Sequence, residues 1–206
     1  MPVVEDLHWS LAIVCHPGEL AKRAIARQQR ELDVDATVEE AEDEDCPARP
    51  CVIHMDSLQK HSARKIEKWL RCFLEMEWRK RHSDEEPFTL RERTAGGPPA
   101  DLLLAMPKVP QQTNSSDSGL YVLRYAQEFL DLAVLWPAEL AGSGGGVFLF
   151  FRDHDFEAWF TGGDIAEMRR DIKKLAADLE LEKIRAAYRR EQAEDAAARP
   201  PRRPRQ

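Results

Sequence analysis

The chain has 206 residues, 43% of them hydrophobic, enough to bury one sizeable core. Its formal charge of -7 at pH 7 argues against nonspecific nucleic-acid binding as a main role, although the Arg/Pro end after Arg199 carries a local positive block. No apolar run approaches the roughly 20 residues that span a bilayer, and the start lacks a basic-then-apolar signal; four cysteines without a framework spacing fit reduced thiols in the nucleus or cytoplasm.

In chain order, Leu7 to Val14 is rich in branched and aromatic residues and predicts a strand, closed by the turn signal Pro17-Gly18. From Glu19 to Arg49 the composition shifts, and Glu31 to Asp45 is crowded with carboxylates and has no Lys or Arg. Such a run repels itself, so residues 19–49 are expected to form an acidic, disordered insertion. Val52 to Leu58 predicts a second strand. Ile66, Trp69, Leu70, Phe73 and Leu74 recur at helical spacing and predict an amphipathic helix over residues 63–80, in which Trp69 and Trp78 serve packing.

Pro87, Gly96, Gly97, Pro98 and Pro99 mark residues 84–100 as a loop, and Leu102 to Met106 is a short apolar strand. Ser116 or Asp117 can cap a helix that continues through Leu120, Leu123, Phe129, Leu130 and Val134 and stops near Trp136-Pro137. Residues 141–146 read as a flexible turn, and the state of Phe148 to Phe151 stays open. Asp164 with Glu167 reads as a capping box for a last helix carrying Ile165, Met168, Ile172, Leu175 and Leu179. Residues 189–206 are expected to be a disordered Arg/Pro tail.

Three segments carry chemistry. The first is His8-Trp9-Ser10-Leu11 on a strand, the second is Asp56-Ser57-Leu58 at the end of another, and the third runs from Pro110-Gln111-Gln112 through Asn114 and Asp117-Ser118-Gly119 to Tyr121-Val122-Leu123. In this order and with this spacing they resemble the Ulp1/sentrin-specific (SUMO-deconjugating) cysteine protease family. The last segment matches the family's nucleophile motif at every fixed position except that Ser118 stands where the family has its cysteine.

The resemblance implies an α+β, papain-like cysteine proteinase fold of the ubiquitin-like protease type. It spans roughly Pro2 to Leu179. Met1-Pro2-Val3-Val4 resembles the middle of a family strand, so residues 1–188 are expected to be a partial catalytic domain with its N-terminal portion missing. The implied roles are His8 as general base, Asp56 as the group that fixes its tautomer, Gln112 as oxyanion-hole donor, Ser118 at the nucleophile position and Trp9 over the substrate's Gly-Gly tail. The implied reaction is cleavage after the C-terminal Gly-Gly of SUMO or the related modifier NEDD8.

A thiol suits that reaction because a neighbouring imidazole and a helix N-terminus pull its pKa below neutrality. A serine hydroxyl is not ionised at rest and would have to lose its proton during attack. The alternatives are therefore a catalytically silent pseudoprotease that only binds the modifier, or a fragment without function. The expected partners are the modifier and its conjugates, acting on a monomer with no nucleic acid, membrane or cofactor. Cys46 and Cys51 could form a zinc half-site, but no second pair lies nearby, so no metal is expected. His16, His54, His61, His82 and His154 show no comparable context.

Overall fold

The computed structural model describes residues 1–32, 49–85, 87–92, 100–143 and 146–198. The chain divides into two units, Met1–Thr161 and Gly162–Gln206. The first is built on a four-stranded sheet in the order β1-β2-β3-β4, with β1 Pro2–Glu5, β2 His8–Cys15, β3 Cys51–Met55 and β4 Leu103–Ala105. β1 and β3 each run antiparallel to β2, and β4 runs parallel to β3. Asp6 and Leu7 join β1 to β2 in a two-residue turn with φ of 50° and 60°, the left-handed geometry that tight hairpins need. Leu7 adopts this conformation at a cost of about 1–3 kcal/mol for a residue with a side chain.

Every residue of β3 is buried, so both faces of the sheet are covered at this strand. On one face Val3, Ala12 and Val52 join Leu20, Ala21 and Ala24 of α1 (Pro17–Leu32) and Ile66 and Leu70 of α2 (Ala63–Arg81) in one apolar cluster. α3 (Ser118–Ser143) packs along β2, and α4 (Gly146–Asp153) packs along β3 and β4. Among the described residues the second unit is α5, Gly162–Ala198.

Several expectations need correction. Residues 19–49 are not disordered throughout. Residues 17–32 form α1, because Leu20, Ala21, Ala24 and Ile25 make one apolar stripe that docks on the core before the carboxylate run begins. Arg27 anchors the outer side with bonds of 3.2 and 3.0 Å to the Asp101 carboxylate and one of 2.7 Å to the Thr89 carbonyl. The acidic run at residues 33–48 lies outside the described residues.

Next, α3 continues to Ser143, past Trp136-Pro137 and into the expected turn at residues 141–146. A proline removes one backbone donor without having to end a helix. The apolar run Phe148 to Phe151, left open by sequence, belongs to α4.

Finally, the expected boundary at residue 189 falls inside α5, whose Ala/Glu/Arg-rich last turns are good helix formers. Residues 199–206 lie outside the described residues. α5 begins at Gly162, so Asp164 sits inside the first turn rather than capping it, where a carboxylate still complements the helix dipole. The other predicted elements are present: α2 begins after Ser62, and β4 occupies the middle of the expected strand 102–106.

Candidate active site

Strand alternation places His8 and Ser10 of β2 on the same face of the sheet as His54 of β3 and Asp56 just beyond it. The side chains meet as that parity requires. His8 Nε2 lies 2.5 Å from Asp56 Oδ1, and both residues are buried, at 4% and 3% exposed. With Nε2 committed to the carboxylate, Nδ1 is the ring nitrogen left to serve as a base.

Asp56 also accepts the Leu58 amide on Oδ1 and the His61 amide on Oδ2, each at 2.9 Å. Burial acts to raise its pKa, but the hydrogen bonds from the His61 amide, the His8 ring and the Leu58 amide outweigh it and hold the carboxyl below its ordinary value. The group is an anion at neutral pH, as an imidazole-orienting carboxylate must be.

Gln112 is tied to the residue beside Asp56. The Ser57 hydroxyl donates to Gln112 Oε1 at 2.6 Å, the Gln112 amide donates to the Ser57 carbonyl at 3.1 Å, and Gln112 Nε2 donates to the Asn114 carbonyl at 2.6 Å. A side-chain amide has two N–H bonds, so one remains for a further acceptor. The loop carrying Gln112 is pinned from α3, because the Tyr125 hydroxyl donates to the Pro110 carbonyl at 2.5 Å and the Tyr121 hydroxyl to the Gln111 carbonyl at 3.2 Å.

Ser118 is the first residue of α3 and is 3% exposed. The Asp117 carbonyl accepts the Leu120 and Tyr121 amides and so starts the helix, while Asn114 Oδ1 accepts the Ser116 and Asp117 amides and shapes the loop before it. Ser118 thus stands at the positive end of a helix dipole, on the element that packs along the strand of His8. Among the described residues no hydrogen bond joins His8 to Ser118. Trp9, the next residue after buried His8, is 43% exposed.

Sequence reading missed Ser10, His54 and His61. Ser10 Oγ lies 2.9 Å from His54 Nε2 and 2.7 Å from His61 Nδ1, and the His8 and His61 ring centroids are 5.0 Å apart. Burial pushes the His54 pKa down to about 4, so that ring is neutral. The available signal was parity: Ser10 stands two residues after His8, and His54 two before Asp56.

Among the described residues His8, Asp56 and His61 could offer ligand atoms to a cation, all within 4.8 Å of one another. An ion there would have to displace the proton between His8 and Asp56. Cys46 lies outside the described residues; Cys51 instead faces Cys15 across the β2–β3 ladder, and the hydrogen bond that its thiol donates to Cys15, together with burial, pushes the Cys51 thiol up. No described helix is long and apolar enough to cross a membrane.

Comparison with known proteins decides the family. The model of the Ulp1 protease family, C-terminal catalytic domain, matches residues 1–138. The chain belongs to that family. It is 31% identical over 179 residues to a probable ubiquitin-like-specific protease 2B of Arabidopsis thaliana, covering 87% of this chain and 16% of that protein. It is 26% identical over 213 residues to sentrin-specific protease 7 of Homo sapiens, covering 88% of this chain and 18% of that protein. The chain therefore spans less than a fifth of the length of these relatives. A crystal structure of a de-sumoylating protease superimposes with a TM-score of 0.50 at 16% identity, covering 95% of this chain and 61% of that one, which supports the α+β fold of Ulp1-type proteases.

Proposed function

We propose that this chain is a ubiquitin-like protease domain whose site is built to attack the bond after the C-terminal Gly-Gly of a SUMO-type modifier. The observation that carries the reading is the buried His8–Asp56 pair, with a carboxylate held ionised and one imidazole nitrogen left over, in a chain of the Ulp1 family. In this reading His8 Nδ1 takes the proton of the nucleophile and returns it to the leaving amine. Asp56 fixes the ring and balances the imidazolium, and the spare N–H of Gln112 donates to the oxyanion. Trp9 lies over the modifier's tail.

The nucleophile position holds Ser118, and that observation favours a form that holds the modifier while turning it over very slowly. A thiolate would be stabilised at the start of α3 beside an imidazole, whereas a hydroxyl at the same place must give up its proton during attack.

The experiment compares the chain with its Ser118→Cys variant on a SUMO carrying a C-terminal amide reporter, with modifier affinity measured in parallel by calorimetry. The expected result is similar affinity for both, with turnover only in the variant. Fast turnover by the Ser118 form overturns the silent reading. A folded Ser118→Cys variant that binds the modifier but does not cleave shows that more than the sulfur is lacking.

A further inference from the structure

The Asp56 carboxylate is held from two sides. Oδ1 takes the Leu58 amide and faces His8, while Oδ2 takes the His61 amide, and His61 Nδ1 lies 3.7 Å from that same oxygen. The His61 ring is fixed in turn by Ser10 Oγ, which sits between His61 Nδ1 and His54 Nε2. Ser10 has one proton for two ring nitrogens, so at least one imidazole must donate to it, and its own proton can then serve the other.

Asp56 decides which. A proton on His61 Nδ1 turns an N–H dipole toward Oδ2, whereas the opposite assignment sets a lone pair 3.7 Å from a buried carboxylate oxygen, a repulsion that a low-dielectric interior magnifies. His54, neutral because it is buried, is the fitting acceptor. The order is therefore His61 Nδ1–H to Ser10, and Ser10 O–H to His54 Nε2. All five side chains of His8, Ser10, His54, Asp56 and His61 are buried, so bulk water cannot substitute for a missing partner.

We infer that His61, backed by Ser10 and His54, is a positioning residue that holds the Asp56 carboxylate with only Oδ1 presented to His8. The inference rests on the proposed reading in which His8 is the general base. The three polar residues behind the pair then share one role, which is to keep the carboxylate from turning and the His8 ring from following it.

The test has two arms. In the chain with its own Ser118, proton NMR follows the His8 Nε2–H that bridges to Asp56, a resonance expected far downfield. His61→Ala should move it upfield or broaden it away. His61→Asn should keep it, because its short amide can reach Ser10 from the place of Nδ1.

In the Ser118→Cys background, His61→Ala should lower kcat by about 10- to 100-fold with KM unchanged, the range typical of outer-shell partners, and His61→Asn should recover most of it. His61→Phe fills the ring volume without a nitrogen and should behave as His61→Ala does, which separates a polar role from packing should the alanine variant fold poorly. The inference is overturned if His61→Phe leaves the bridging resonance in place, or if His61→Asn loses as much as His61→Ala. An inactive Ser118→Cys protein would count against the proposed function alone, since the NMR arm still decides the role of His61.

Discussion

Replacing Asp56 by Asn changes one oxygen to nitrogen in a site where each oxygen is already spoken for. Oδ1 accepts the Leu58 amide at 2.9 Å and the His8 ring at 2.5 Å, and Oδ2 accepts the His61 amide at 2.9 Å. An asparagine can aim its carbonyl at one side only. Its NH2 then opposes either the His61 amide or the Leu58 amide, and one buried N–H loses its acceptor at a cost of about 1–3 kcal/mol. The surviving bonds lose their charge assistance, roughly another 1 kcal/mol.

The expected total is about 3 kcal/mol of destabilisation at pH 7, measured by urea unfolding with an unchanged slope. The sign with pH follows from the depressed folded-state pKa of Asp56. The stabilisation is fully present above the unfolded-state value of about 3.9 and is lost as pH falls through the lower folded value. The gap between the two proteins should therefore stay level from pH 7 to about 5 and begin to close below about 4. A gap under about 0.5 kcal/mol at pH 7 would refute the reasoning, as would one that widens on acidification.

Three further substitutions test how the site is held. Leu20→Ala in α1 should cost about 2–5 kcal/mol, since Leu20 is buried at 1% exposure in the main cluster, while Leu32→Ala on the same helix should change stability by less than about 0.5 kcal/mol; equal effects in chemical denaturation would show that α1 is not docked. Tyr125→Phe leaves the buried Pro110 carbonyl without its donor and should cost about 1–3 kcal/mol. In the Ser118→Cys background it should also lower kcat, because the loop that carries Gln112 loses an anchor, and unchanged stability together with unchanged kcat would remove that anchoring role.

The sequence by itself determined the family, the order of the three motifs, and the strands and helices that carry them. Those features are local: a strand reads from alternation, α2 from helical spacing, and the His8, Asp56 and Ser118 motifs from a few adjacent residues. The same locality produced the misreadings. Composition averaged the apolar stripe of α1 together with the carboxylates that follow it, and what separates them is that Leu20, Ala21 and Ala24 find Ala12, Val52 and Ile66, residues distant in the chain. The Pro/Arg content of the end masked the helix-forming residues of α5 in the same way. Only the tertiary structure decided which polar residues stand behind Asp56. Ser10, His54 and His61 lie on β2, on β3 and in the turn after it, and each looks ordinary alone. Burial converts them into a network, because once water is excluded Ser10 Oγ, His54 Nε2 and His61 Nδ1 find their partners in one another, while His54 Nδ1 and His61 Nε2 are left without one.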